Sequence, residues 1–520
     1  MKSRKLALIL SFFYCGLGQI YKGQILKGVN FAIIYTALIA SAFFPMRLVQ
    51  IIGISALPLM WVAGMVDAYT IEAVFIDRRR FLLAILPGIV LSGIVLYIQI
   101  SPSSEGVIYV SINTGDNNNS GTKAAPMKNI DKAIVAVKSG GVLLVAEGTY
   151  SGTLQIGYIA ANKPVQLYGG YSKDFSERDV MKHPTLFQPS GKIGDQPDRA
   201  FLKLSNKVDG TVVDGFIFDM SMRNVYSPNA SKPRGVETGM LLLPPPETEG
   251  DRATIIGQCI YIAAGNTGGN ITISNNVFLN GAHFAIHGAI PTGLISINNN
   301  VFVSNRMASI EVWGSGIGEM PDAEIAYNTI LFSWSRMDNF QNMGYGIRMV
   351  DKMRYNIHHN IIGASTSAGV YNSSPGNDKW TKLDDNVFFL NRKTDLEYRR
   401  QSGAVLKFPV SEFGNLEFSS SSGNSTEITG GYPIDKAYLE GFLNSQYARK
   451  EDLRPGSYAN MMRKLFGLRN PGSTPVTMFC NRYPWEKALE FFGAVNGVGA
   501  QTDRWPLIKP QPRRNILPGF

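Results

Sequence analysis

A short phrase that recurs through the middle of the chain restricts its fold more than any other feature. Residues 270–278 read NITISNNVF, and residues 294–302 read LISINNNVF. Weaker copies follow, and the equivalent asparagines are Asn276, Asn300, Asn328, Asn360 and Asn386, with spacings of 24, 28, 32 and 26 residues. A short strand with alternating apolar and polar residues, followed by an Asn at a turn, indicates one coil of a solenoid when the same pattern recurs at similar intervals. One coil cannot bury its apolar side alone, so the coils must stack on a shared core.

The charge of the chain is concentrated at one end. The formal net charge is +10, and residues 1–101 contribute +6 of it through nine Lys/Arg and three Asp/Glu. The other residues carry little excess charge, so we expect no nucleic-acid partner. The three cysteines, Cys15, Cys259 and Cys480, lack metal-ligand spacing and allow at most one disulfide. We therefore expect no metal, no cofactor, and a fold that depends on packing.

The first hundred residues predict a membrane anchor. Their apolar blocks are residues 6–21, 28–44, 48–66 and 81–100. The last three blocks are long enough, or nearly so, to cross about 30 Å of hydrocarbon, whereas the first is short and Gly-rich and could be re-entrant. We predict an anchor of three or four helices over residues 1–101 that contacts membrane lipid through residues 6–100.

Basic residues give this anchor an orientation. The run Arg78, Arg79 and Arg80 precedes the last apolar block, and further basic residues cluster near the start of the chain. The excess of Lys and Arg on the cytoplasmic side of membrane proteins places these residues inside the cell. We predict a location in the bacterial inner membrane, with the C-terminal part in the periplasm or outside the cell.

Two motifs in the anchor resemble a known family. Residues 13–23 read FYCGLGQIYKG, and residues 61–69 read WVAGMVDAY. They resemble the Gly-x-Gly-x-x-Tyr-x-Gly loop and the Trp…Asp helix of the small bacterial membrane domain built on two transmembrane helices. The loop lacks the basic–aromatic pair common in that family, and at least one more apolar block follows. Asp67 lies near the end of an apolar helix, where an ionisable group is costly and often functional.

The composition then changes to Gly, Asn, Ser and β-branched residues. A strand, a polar loop and a short amphipathic helix over residues 130–137 precede GGVLLVAEGTY at residues 140–150. This order, with GGYSKDF at residues 169–175, resembles the N-terminal cap and first coil of the pectate-lyase-like right-handed parallel β-helix superfamily. The resemblance covers most of residues 107–497. It implies a mainly β solenoid whose open end the short helix covers.

The predicted organisation after the anchor has three parts. Residues 102–418 form the right-handed parallel β-helix with its helical cap, and residues 419–431 form a Ser/Gly-rich loop. Residues 432–520 form a C-terminal cap and a Pro-rich basic tail.

A second set of short strands predicts one outward row of side chains. Residues 285–288, 309–312, 346–349 and 369–372 align with their aliphatic side chains inward, and an earlier coil adds residues 260–261. Because side chains alternate across a strand, the row facing outward would be Tyr261, His287, Glu311, Arg348 and Tyr371, with Trp313 on the same face. Neighbours in such a row are about 4.8 Å apart when the coils stack in register.

This row has the groups that an enzyme acting on acidic sugars needs. Arg348 can pair with a uronate carboxylate, and His287, Glu311 or Tyr371 can transfer a proton. Tyr261 and Trp313 can stack on sugar rings. A Glu–Arg pair between a His and a Tyr is equally typical of an ordinary solvated sheet face. The 37 residues from Glu311 to Arg348 also include an insertion.

His358 and His359 above Asp384 and Asp385 could suit a divalent metal, but we interpret them as structural.

The resemblance implies that many members of the superfamily cleave, epimerise or bind polysaccharides along this face. The paired aspartates of the galacturonase type and the calcium-binding carboxylates of the pectate lyases are absent from the sequence. The sequence therefore predicts a membrane-anchored protein that binds or modifies an acidic polysaccharide by lyase, epimerase or hydrolase chemistry. The alternative is a non-catalytic scaffold of the cell envelope that is structural, is adhesive or guides a glycan.

Overall fold

The structure is a computed structural model with two compact units, residues 1–104 and 105–520. The residues that it describes are 3–42, 47–70, 106–152, 159–188, 200–220, 258–263, 265, 268–281, 284–316, 318–334, 344–446, 454–470 and 482–505.

The first unit is helical. The helices within its described residues are Arg4–Phe13, Leu17–Lys22, Ile25–Ala42 and Arg47–Thr70. Within the parts of the chain that the structure describes, no helix is both long and apolar enough to cross a membrane. The expected anchor of three or four spanning helices is therefore not supported there. The first apolar block, for example, divides into helices of 10 and 6 residues, and the first of them is only about 15 Å long. The predicted span over residues 81–100 lies outside the described residues.

The Gly-rich loop of this unit is a tight helix connection. Gly16 has a φ of 103°, and a Cβ on it would lie 2.2 Å from the carbonyl oxygen of Gly28. Only glycine fits this left-handed position and this close approach. Asp67 accepts hydrogen bonds from Lys27 Nζ at 2.6 Å and Gln19 Nε2 at 3.0 Å, so its carboxylate joins three of the helices.

Among the residues that the structure describes, the second unit is a parallel β-helix with three sheets. Sheet A has nine strands, Val107–Val110, Gly141–Ala146, Val165–Tyr171, Thr211–Asp214, Ile271–Ser274, Leu294–Asn298, Asp322–Ala326, Arg354–His358 and Lys382–Asp384. Sheet B has eight, Gly148–Tyr150, Thr185–Phe187, Ile217–Asp219, Val277–Leu279, Val301–Val303, Thr329–Leu331, Ile361–Gly363 and Val387–Phe389. Sheet C has nine, Ile159–Ala161, Ala200–Leu204, Gln258–Ile262, Ile286–Ile290, Ala308–Gly314, Tyr345–Met349, Ala368–Asn372, Thr394–Arg399 and Val405–Phe408.

Each complete coil gives one strand to each sheet, and neighbouring coils pair in parallel. Ile271, Ile295, Ala323 and Tyr355 are register partners in sheet A, for example. In sheet B the rings of Phe218, Phe278 and Phe302 stack with centroids 5.0 and 4.8 Å apart. The predicted solenoid is confirmed by these pairings. Parallel crossovers of this kind are right-handed in nearly all proteins, and the right hand of the β-helix stays a prediction that follows this rule.

The asparagines of the repeat form a continuous ladder inside the turn between sheets A and B. Asn328 shows the pattern: its Nδ2 donates to Ile297 O at 2.8 Å and to Asn360 Oδ1 at 3.0 Å. Its own Oδ1 accepts from the backbone N and the Nδ2 of Asn300 at 2.9 and 3.0 Å. The ladder members are Asn276, Asn300, Asn328, Asn360, Asn386 and Asn424. The predicted structural role of the asparagines is therefore confirmed, because stacked amides satisfy buried backbone groups.

The residue before each ladder asparagine has a left-handed backbone. Asn275, Asn299, Tyr327, His359 and Asp385 all have φ between 54° and 58°. A turn this tight needs one left-handed residue, and Asn and Asp tolerate that conformation better than most residues. His359 and Asp385 therefore occupy turn positions of the coils.

Short elements close the core at both ends. The amphipathic helix Ile130–Ala136 buries Ile130, Ala133 and Ile134 against the first strands, as the sequence predicts. At the other end, strand Val405–Phe408 pairs antiparallel to Thr394–Arg399 and ends the sheet. A 3₁₀ helix, Val410–Asn415, then inserts Phe413 into the core beside Phe388.

The C-terminal helices lie along the outer face of sheet B. They are Lys436–Gln446, Tyr458–Leu465 and Trp485–Leu489, followed by a 3₁₀ turn at Thr502–Arg504. Another 3₁₀ helix, Pro375–Trp380, lies earlier in the chain and connects strand Ala368–Asn372 of sheet C to strand Lys382–Asp384 of sheet A. Phe442, for example, packs edge-on against Phe332 at 4.9 Å. In the Ser/Gly-rich segment, Ser420 and Ser425 form parallel bridges with the last coil, and Asn424 ends the ladder. This segment thus continues the solenoid by part of a coil.

Candidate functional site

The outward row of sheet C exists with the predicted register. Tyr261 is the partner of His287, His287 of Glu311, Glu311 of Arg348, and Arg348 of Tyr371. The insertion before Arg348 does not disturb the pairing, because Ile310 and Ile347 face each other in the core. Trp313 lies on the same strand as Glu311, two residues along. The structure thus brings all six sequence-predicted residues to one face.

Glu311 is the centre of this row. Its Oε2 accepts a hydrogen bond from Arg348 Nη1 at 2.5 Å, and its Oε1 lies 3.2 Å from His287 Nε2. The Glu311 side chain is 7% exposed, whereas those of His287 and Arg348 are 19% and 24% exposed. A buried carboxylate is tolerated when it is paired and hydrogen-bonded, and both conditions hold here. Solvent and ligands therefore reach the two partners of Glu311, and the half-buried rings of Tyr261 and Trp313, more readily than Glu311 itself.

Aromatic rings surround His287. The ring of Phe284 stacks on the imidazole with centroids 4.4 Å apart, and Tyr261 and Trp313 lie at 5.8 and 5.0 Å. His287 Nδ1 faces Gln258 Nε2 at 3.4 Å, which fits an imidazole that donates from Nε2 to Glu311. These contacts hold the ring in one orientation. The predicted sugar-stacking residues, Tyr261 and Trp313, lie on either side of it along the row.

Beyond Arg348 the row continues into a buried Tyr–Glu pair. The Arg348 guanidinium lies 5.9 Å from the centroid of the Tyr371 ring, which stacks on Tyr345 at 4.7 Å. Tyr345 Oη donates to Glu397 Oε2 at 2.8 Å, and Glu397 is the register partner of Tyr371. Burial, and next the charge of Glu397, raise the pKa of Tyr345 far above its ordinary value, so the phenol stays protonated. The row therefore has a second buried carboxylate that is held by a neutral hydroxyl.

Sequence reasoning missed four residues of this site, namely Gln258, Phe284, Tyr345 and Glu397. Phe284 and Tyr345 lie at or before the start of a strand, where alternation does not specify which way a side chain points. Glu397 lies on the next strand of the same sheet, at residues 394–399, and extending the row by one more coil would have found it.

The two histidines and two aspartates considered for a metal do not form a cluster of ligands. His358 Nδ1 faces His359 Nδ1 at 3.0 Å, and His358 Nε2 lies 3.6 Å from Glu324. Asp384 instead accepts hydrogen bonds from Ser420 Oγ at 2.6 Å and the backbone N of Ser422 at 2.8 Å. Among the described residues, no group of three or more His, Cys, Asp or Glu is arranged to hold a metal ion.

Comparison with known proteins yields one partial family match. A family model described as a protein of unknown function (DUF1565) matches residues 113–200, which include the helical cap and the first coil. No curated protein matches the chain.

Solved structures give similarities of low identity. The complex of XylC with xylose is 12% identical with a TM-score of 0.34, and the match covers 56% of this chain and 63% of that one. A rhamnogalacturonan lyase is 12% identical with a TM-score of 0.32, over 76% and 99% of the two chains. Pectate lyase Pel9A is 12% identical with a TM-score of 0.29, over 65% and 85%. The chain thus spans less than two thirds of XylC, and its fold is established by its own strand pairings.

Proposed function

We propose that this protein binds an acidic polysaccharide along the outer face of sheet C. The observation that carries the proposal is the continuous row from Tyr261 to Tyr371, in which a fixed cation and two aromatic rings lie on one flank. Arg348 binds Glu311 through Nη1, and its Nη2 would donate a charge-assisted hydrogen bond to a uronate carboxylate. Tyr261 and Trp313 supply flat apolar surfaces for sugar rings.

Chemistry on the bound glycan is the second candidate function. His287 is oriented by Glu311, whose other oxygen binds Arg348, an arrangement that supports proton transfer to or from a sugar carbon or oxygen. Glu311 and Tyr371 complete the proposed set for lyase, epimerase or hydrolase chemistry. Attachment to the bacterial inner membrane, with the β-helix outside the cytoplasm, remains a prediction from the pattern of residues 1–101.

The test uses the full-length chain and a panel of acidic and neutral polysaccharides. We expect retention of a uronate polymer on the protein, and a loss of affinity of about ten- to a hundredfold in Arg348→Gln, since a charge-assisted hydrogen bond contributes roughly 1.5–3 kcal/mol. Arg400→Gln, an exposed arginine of the turn before the last strand, is the matched control and should bind normally.

Turnover separates the two candidates. Unsaturated products that absorb in the ultraviolet, or new reducing ends, would establish catalysis, and Glu311→Gln should then abolish it. Binding without turnover would indicate a glycan-holding platform. If no polysaccharide of the panel binds, the proposal is wrong and a protein-binding scaffold takes its place.

A further inference from the structure

A second candidate site lies on sheet A, a different face of the β-helix. A surface cavity of about 390 Å³ opens over the strands Asp322–Ala326, Arg354–His358 and Lys382–Asp384. The side chains that matter there are Glu324, Arg354, Asn356, Lys379, Trp380 and Lys382. A volume of this size lies at the lower end of the range for small-molecule sites.

Trp380 is held in an exposed position at the rim of this cavity. It ends the 3₁₀ helix Pro375–Trp380 and is 42% exposed. The helix is fixed from below: Asn377 Nδ2 donates to Val350 O at 2.6 Å, and Asp378 accepts hydrogen bonds from Asn372 Nδ2 and Tyr398 Oη. Asn377 and Asp378 are both buried. A large indole that is kept at the surface by a rigid support is a preorganised stacking platform, because little conformational entropy remains to be lost on binding.

The charges of the cavity leave two cations available. Arg354 Nε and Nη2 donate to both oxygens of Asp322 at 2.6 and 2.7 Å, so that pair is closed. Glu324 accepts from Ser296 Oγ at 3.4 Å and lies 3.6 Å from His358 Nε2. Lys379 Nζ lies 4.8 Å from the centroid of the Trp380 ring, and Lys382 is on the neighbouring strand. Among the described residues, neither lysine forms an ion pair, so two ammonium groups face the single carboxylate of Glu324 and the net charge of the cavity is positive.

We propose that this cavity is a binding site for an acidic sugar unit, separate from the row on sheet C. The sugar ring stacks on Trp380, and its carboxylate is held by the ammonium groups of Lys379 and Lys382. Asn356 and Glu324 line the same cavity and supply hydrogen-bonding groups for the hydroxyls. The site holds and does not transform its ligand. Since it lies on another face, it stands independently of the function proposed for sheet C.

The experiment measures binding of trigalacturonate to the full-length chain by isothermal titration calorimetry in an Arg348→Gln background, which weakens the sheet C row. We expect this variant to retain a binding event. Adding Trp380→Ala should weaken that event about tenfold, the factor that loss of roughly 1.4 kcal/mol of stacking produces. Adding Lys382→Gln should weaken it about two- to fivefold, and raising the salt concentration should have a similar effect. A neutral trisaccharide should bind less tightly.

Lys132→Gln, on the cap helix, is the charge-matched control and should change nothing. Thermal unfolding of every variant checks folding, and the exposed Trp380 ring can be removed without opening the core. The proposal is overturned if the Arg348→Gln background shows no binding, or if Trp380→Ala binds as tightly as its parent. A different result separates the two proposals. If the sheet A cavity binds and Arg348→Gln binds as tightly as the wild type, only the function proposed for sheet C is contradicted.

Discussion

At the scale of single residues, the ladder asparagines stabilise the core of the β-helix although their side chains are polar. Asn328 is completely buried, and its side chain satisfies two backbone groups of the preceding coil and binds the amides of Asn300 and Asn360 on either side. Replacing it removes partners from Ile297 O and from the backbone N and side chain of Asn300. A buried polar group that loses its partner costs about 1–3 kcal/mol. The ladder therefore sets the spacing of the coils and penalises any slip of register.

Asn328→Ala should lower the free energy of unfolding by about 2–4 kcal/mol, because several buried groups lose their partners together. Asn424→Ala, at the half-exposed end of the same ladder, should cost clearly less, since water can replace its hydrogen bonds. Chemical denaturation of the two variants measures the difference. Equal losses would show that the ladder does not act as a buried network.

His358 should make stability depend on pH. Burial, and next the neighbouring His359, lower the pKa of His358 below its ordinary value of 6.5, against the opposing charges of Glu324 and Asp385. The folded chain therefore binds this proton less readily than the unfolded chain. The free energy of unfolding is therefore at its full value above a pH of 6.5. It decreases as the pH falls below 6.5, because the unfolded chain takes up this proton first.

His358→Gln should accordingly lose less stability than the wild type between neutral and mildly acidic pH. Denaturation midpoints over that interval measure the effect. A variant whose pH profile runs parallel to that of the wild type would show that His358 does not titrate in this way.

At the scale of elements, the ends of the solenoid need separate devices, because an open coil exposes its core. The N-terminal helix was predictable from its apolar spacing. The C-terminal closure was not, since Phe413 lies in a 3₁₀ helix of six residues that has no periodic pattern. Only the stacked structure shows that its ring packs edge-on against Phe388 in the core.

Phe413→Ala should therefore destabilise the last coil by about 3–5 kcal/mol, the usual cost of removing a buried Phe. Hydrogen exchange should show faster opening of strands Lys382–Asp384 and Val387–Phe389, while the middle coils stay protected. Glu412→Ala, an exposed neighbour, is the control and should leave exchange unchanged. Uniform acceleration along the whole chain would contradict a local closing role.

Much of the site could be predicted at this scale, and the reason is periodicity. Once Ile286, Ile310, Ile347 and Val370 point inward, alternation places His287, Glu311, Arg348 and Tyr371 outward. The buried Tyr345–Glu397 pair and the ring of Phe284 were not predictable, because they depend on how strand ends pack against the next coil. Likewise, the sequence predicts a C-terminal cap within residues 432–520, but not that its helices pack along sheet B.

At the scale of the whole molecule, residues far apart in sequence become neighbours because the coils stack in register. Glu311 and Arg348 are 37 residues apart in the chain and adjacent in sheet C. The candidate glycan site on that face depends on this adjacency. So does the sheet A cavity, whose walls come from three successive coils.

A cysteine pair tests this adjacency most directly. Register partners on neighbouring strands have Cα atoms about 4.8 Å apart, within the range that a disulfide bridges. In Glu311→Cys/Arg348→Cys, mild oxidation should link the two residues rapidly, as read by mass spectrometry of the proteolysed chain. Glu311→Cys/Met349→Cys should stay unlinked, because Met349 points to the buried side. If Glu311→Cys/Arg348→Cys stays unlinked, or if both pairs link equally, the stacked row that forms the candidate glycan site is contradicted.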